Sequence, residues 1–160
     1  MEIDYLINYA RIIGPILTAI SIFLGIYYFS LNVRRDKAKQ TLDYWEKINQ
    51  QLKEEKKTLT KDYGKYIDEE MALLLVEDKE ERPRISKFLN IYERLSLGVN
   101  MGLYDVKVLN KLAGQVIIDN FYKYENFINA RRIQVNRDFL FVEYEKLVLH
   151  LKNNRKKLNE

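Results

Sequence analysis

The chain has 160 residues, with 27 Lys and Arg against 23 Asp and Glu, one histidine and no cysteine. The lack of cysteine excludes a disulfide, a thiolate nucleophile and a cysteine-bound metal. A formal net charge of +4, spread through interspersed acids and bases, excludes the concentrated basic field of a dedicated nucleic-acid binder.

Residues 1–11, MEIDYLINYAR, carry Glu2 and Asp4 ahead of their only basic side chain, Arg11. A secretory signal opens on a basic segment and ends on a small-residue cleavage site, and neither is here. From Ile12 to Val33 runs an uncharged segment of 22 residues, IIGPILTAISIFLGIYYFSLNV. At about 1.5 Å per residue it makes roughly 33 Å of helix, slightly more than the ~30 Å hydrocarbon core of a bilayer. It predicts one uncleaved transmembrane helix.

The flanks of this run set its direction. Arg11 stands alone before it, while Arg34, Arg35, Lys37 and Lys39 follow it. Lys and Arg beside a span are retained in the cytoplasm, so the N-terminus is predicted outside and the rest of the chain inside, at the inner (cell) membrane. Tyr5 and Tyr9 before the run and Tyr27 and Tyr28 near its end suit interfacial anchors, or reflect a chain rich in tyrosine. Pro15 admits two arrangements: it opens the span in the first helical turn, the favoured one, or it kinks a longer helix. Gly14, Thr18, Ser21 and Gly25 recur at spacings of four, three and four, which forms a small-residue face where a second helix can approach. The same face serves equally as a lipid contact. No ionisable residue lies inside the span, so it holds no proton relay or ion-coordinating charge.

Ala38, Leu42, Trp45, Ile48 and Leu52 then follow helical spacing, which predicts that the helix continues to about Lys57. Asp68 begins a short second helix with acids in its first turn. EDKEERPR, Glu77 to Arg84, reads as a connection because of its charge and Pro83. A third helix is expected from Ile85, with Phe88, Tyr92, Leu95 and Val99 on one face and Gly102 at its end. Asp105 is placed to cap a fourth, through about Arg132, carrying Leu109, Leu112, Val116, Ile117, Phe121, Tyr124 and Ile128. Asn136 or Asp138 would cap a fifth, through Leu151, before a basic tail expected to fray. No segment alternates over strand length. The fold class is therefore all-α: one N-terminal transmembrane helix continuing into a cytoplasmic bundle of about four to five helices. The division is 1–11 outside, 12–33 in the membrane, 34–151 a helical domain and 152–160 a polar basic tail.

Chemistry is sparse. His150 has no second histidine or cysteine with which to share a metal, and the pairs Glu54-Glu55, Glu69-Glu70 and Glu80-Glu81 lie among lysines and arginines, as solvated faces do. There is no phosphate-binding glycine loop and no nucleophile elbow. No catalytic, cofactor or metal residue is assigned, and neither a small-molecule substrate nor a specific nucleic acid is evident. Glu93 and Arg131 sit at the edges of apolar helix faces, which suggests either an interhelical ion pair or two rim charges. The clusters Arg34, Arg35, Lys37, Lys39 and Lys152, Arg155, Lys156, Lys157 can meet anionic headgroups.

The residues Phe88, Leu89, Asn90, Glu93, Gly98, Gly102, Tyr104 and Asp105, followed by a long helix and Arg131-Arg132, carry a resemblance. In that order they resemble a widespread bacterial family of short proteins classed as a domain of unknown function, with one N-terminal span and a small helical domain. The resemblance implies an anchored all-α domain and no reaction. Two functions remain expected: a non-enzymatic interaction or regulatory module bound to membrane lipid and to a protein partner or second copy, or an oligomerising membrane-perturbing effector of a bacterial defence or toxin system.

Overall fold

The computed structural model describes residues 2–59, 64 and 66–156, and among them are five helices and no strand. These are α1 (Glu2–Thr58), α2 (Glu69–Glu77), α3 (Glu81–Asn100), α4 (Val106–Val135) and α5 (Val142–Lys156). The chain divides into two compact units, Met1–Lys37 and Ala38–Glu160. The expected roles of Tyr5, Tyr9, Lys156 and Lys157 fall on side chains outside the described ones.

In the first unit, α1 passes through Pro15 without a break. The favoured arrangement, a helix opening at Pro15, therefore gives way to a longer helix that contains it. Proline there removes one N–H and leaves the rest of the ladder in place, a loss that apolar helices accommodate. From Ile13 to Val33 every described side chain is exposed except the half-buried Leu31. Phe23 is 73% and Phe29 70% exposed. This is the one described helix long and apolar enough to cross a membrane.

The second unit is built on a core from all five helices. The later part of α1 contributes Ile48 and Leu52, with Tyr44 and Trp45 half-buried beside them. The inward row starts at Thr41, which is 1% exposed, whereas Leu42, expected inside, is 45% exposed. Thr41 faces inward because its hydroxyl accepts the Asp105 N–H at 2.8 Å.

Asp68 caps α2 by accepting the Met71 N–H at 2.7 Å. Two amide side chains of α4 then fix α2 along its second half: Asn126 donates to the Ile67 carbonyl and Gln134 to the Val76 carbonyl. Since 67 meets 126 and 76 meets 134, α2 runs in the same direction as α4. The charged connection is shorter than expected because α3 begins at Glu81. Asp78 Oδ1 accepts the N–H groups of Glu80 and Glu81 at 2.8 and 2.9 Å. Pro83 falls in the first turn, where its missing donor costs nothing. Glu81 is also no solvated acid: it is buried and holds Arg84 at 2.9 Å.

The long α4 ends where Asn136 takes a left-handed conformation, φ 51°. The Asn136 N–H donates to Ile133 and the Arg137 N–H to Arg132, the paired bonds that close a helix C-terminus. Asn136 thus stops α4 and does not cap α5. After a turn through Phe141, φ 58°, α5 returns along α4 and extends beyond Leu151 to Lys156. The expected frayed tail is held at its start, because Arg155 donates to the Asn110 side chain at 2.8 Å, the Asn110 carbonyl at 3.1 Å and Gln115 at 2.8 Å. Its charge is spent on α4, and Lys152 likewise donates to the Tyr122 hydroxyl at 2.8 Å.

Candidate functional site

The small-residue face lies on the exposed part of α1. Cβ atoms built on Gly14 and Gly25 would meet nothing within 4 Å. The Thr18 and Ser21 hydroxyls donate to the Gly14 and Leu17 carbonyls, each at 2.9 Å, so both are satisfied within their own helix. Arg34, Arg35 and Lys39 are exposed and Lys37 is half-buried. His150 is exposed, and the described residues hold no cluster of three His, Cys, Asp or Glu that could take a metal.

Glu93 and Arg131 are not brought together. The Glu93 carboxylate instead receives the backbone N–H groups of Glu143 (3.2 Å) and Tyr144 (2.7 Å). These are the open donors of the first turn of α5, which Phe141 cannot satisfy because it has no side-chain acceptor. A residue of α3 therefore caps α5. Arg131 donates to Gln134, and it is Arg132 that serves this corner, bonding the Leu140 carbonyl at 2.9 Å and Glu145 at 2.8 Å. One residue along a helix turns a side chain by about 100°. That rotation separates the arginine named from sequence from the one that acts.

Burial raises the Glu93 pKa above the usual carboxylate range, against the lowering effect of its two N–H bonds; the Glu143 charge adds to the rise and Arg132 opposes it. Glu143 lies lower than usual because Lys146 and Asn100 both donate to it. Behind them Tyr144 stacks on Tyr92, centroids 4.9 Å apart, and donates to the Ile117 carbonyl at 2.7 Å. Burial pushes both phenols upward, so they stay neutral.

The α3–α4 turn explains the glycines. Gly102 has φ 76°, a conformation that suits glycine, and its N–H donates to Val99 while that of Leu103 donates to Gly98. Gly98 has no side chain because the Tyr104 ring occupies that space, its Cδ2 lying 2.7 Å from a built Cβ. Tyr104 in turn stacks on Tyr44 of α1 at 4.6 Å. Asp105 caps α4 through the N–H groups of Lys107 and Val108, at 2.8 and 3.2 Å. Gly98 and Gly102 thus mark close packing and a helix stop.

An open cleft of about 150 Å³ lies among α1, α3 and α4. Its walls are Trp45 and Leu52 of α1, Phe88 and Tyr92 of α3, and Val116 of α4, with Asn49, Lys53, Lys56 and Asn120 as the polar lining. Asn120 is engaged, donating to the Tyr92 hydroxyl at 3.2 Å and the Val116 carbonyl at 2.7 Å. The reading of Glu54-Glu55 and the lysines around it as a solvated face missed this group. The available signal was the spacing of Trp45, Asn49, Lys53 and Lys56, which puts an aromatic ring, an amide and two cations on one helical stripe.

A family model described as a domain of unknown function, DUF4760, matches residues 15–151. The chain belongs to that family. The match takes in α2, α3, α4, most of α1 and α5 to Leu151, and so includes both the Glu93 cap and the cleft. Comparison with curated proteins and with solved structures finds no match. Within this DUF4760 chain, Phe88, Leu89, Gly98, Gly102, Tyr104 and Asp105 are accounted for by core packing and by one turn, and Glu93 by a cap.

Proposed function

We propose that this protein is a single-pass, membrane-anchored helical interaction module with no catalytic activity of its own. Its N-terminus lies outside the cell membrane of a bacterium, and the unit from Ala38 onward lies in the cytoplasm, where it docks a protein partner or a second copy. The observation that carries this reading is the outward-facing apolar row of α1 from Ile13 to Val33. So much contiguous apolar surface is stable in a hydrocarbon and unfavourable in water, at roughly 25 cal/mol per Å². The four basic residues after it support the orientation.

Support for a binding role over a catalytic one comes from how the ionisable groups are used. Glu93, Arg132, Glu143, Glu145 and Arg155 all join helix pairs, and Glu81 is engaged by Arg84 within the first turn of α3. The test is crosslinking of the full-length protein in native membranes, followed by identification of co-purifying proteins, with reporter fusions at both termini. Enriched crosslinked species and a cytoplasmic C-terminal reporter are expected. A monomer without enriched partners sinks the interaction role, and loss of membrane potential on expression would favour a pore-forming effector in its place.

A further inference from the structure

We propose that the cleft among α1, α3 and α4 binds a small aromatic anion: one ring bearing a carboxylate or phosphate. This goes beyond the anchoring and docking reading and does not depend on it. Three features point to the ligand. The first is size, since about 150 Å³ is the space a single six-membered ring occupies in a protein cavity. The second is the lining, in which Trp45, Phe88 and Tyr92 with Leu52 and Val116 offer apolar walls. Pockets that orient small molecules combine such walls with a few polar groups.

The third feature is charge. Lys53 and Lys56 line the cleft and, among the described residues, no carboxylate does. Among the described residues neither lysine makes an ion pair or side-chain hydrogen bond, and the Asn49 amide is also unengaged. Of the two acids between them in sequence, Glu54 does not line the cleft and Glu55 is committed to Lys87 at 2.7 Å. Two ammonium groups and an amide, unpaired beside a ring-sized apolar wall, are complementary to an anionic group on a flat body. Apolar contact with these walls and the charge of the two lysines would then act on opposite ends of one ligand.

The cleft carries its own reporter, because Trp45 is the only tryptophan in the chain. Full-length protein in phosphatidylcholine nanodiscs is titrated with benzoate and phenyl phosphate, and with their uncharged counterparts benzamide and phenol. At least one anion is expected to shift Trp45 emission saturably at or below the millimolar range, at least tenfold more tightly than its neutral counterpart. Lys53→Ala and Lys56→Ala are each expected to weaken that anion by about tenfold, with circular dichroism unchanged, and Lys111→Ala to leave it unaltered, Lys111 being an exposed lysine of α4 that does not line the cleft. The proposal is overturned if no anion gives a saturable response, if neutral and charged probes bind alike, or if neither lysine variant weakens binding. It is also overturned if Trp45 responds only when phosphatidylglycerol is added to the nanodiscs, which would assign the charge to a lipid headgroup.

Discussion

Glu93 and Glu143 lie side by side and titrate in opposite senses. For Glu93 the folded state holds its proton more tightly than the unfolded chain, so its contribution to stability falls as pH rises from the ordinary carboxylate range through the raised value. For Glu143 the folded value is lowered, so its contribution is full above the ordinary range and is lost as pH falls through the lowered value. Glu93→Gln keeps an oxygen acceptor for α5 and removes the first titration. Chemical denaturation between pH 4 and 7 is expected to show a flatter stability profile in this variant than in the parent; an unchanged profile would remove Glu93 as its source. Gly98 gives a second test at this scale. Gly98→Ala pushes against the Tyr104 ring and its stack on Tyr44, with an expected loss of about 1–3 kcal/mol, read as a lowered thermal midpoint. Tyr104→Ala should make the same alanine tolerable.

Each helix of the compact unit shows how far sequence reaches. Asp105 was legible as a cap because its acceptor sits beside the donors it satisfies, a purely local arrangement; Asp68, expected as the first residue of α2, is its cap. Asp105→Ala is therefore expected to cost about 1 kcal/mol, seen as a shifted urea midpoint with an unchanged slope. The start of α5 was not legible, since its acceptor lies 50 residues away at Glu93. Nor was the start of α3, where charge and Pro83 hid a first turn capped by Asp78. The apolar face of α3 followed from spacing; that of α4 did so except at Leu112 and Val116, which were expected inside and are 45% and 52% exposed. Arg131 was singled out and Arg132 acts, because spacing locates a side chain only to within the angle between neighbours. The cleft needed residues near 45–56, 88–92 and 116–120 on one surface, and no pattern along the chain encodes that meeting.

At the scale of the molecule, the core does not begin where the last charged flank of the apolar run ends. Ile48 and Leu52 of α1 are buried among residues of the later helices, and Thr41 accepts a bond from the α3–α4 turn. A chain starting at Ala38 is thus expected to be water-soluble, helical and cooperatively folded. One starting at Leu59 loses two core side chains and the Thr41 acceptor, several kcal/mol in all, and should melt broadly or aggregate. Far-ultraviolet circular dichroism with thermal melting distinguishes the two. If both fragments fold equally well, α1 is only a tether.

The borrowed cap of α5 has a kinetic counterpart. A helix with its own capping residue can fray and re-form alone, but the first turn of α5 keeps its donors satisfied only while α3 stays docked. Opening that turn therefore means parting two helices and the stacked Tyr92 and Tyr144 rings between them. The amide hydrogens of Glu143 and Tyr144 should exchange with deuterium at the slow rate of global unfolding, as central core amides do, even though they stand at a helix end.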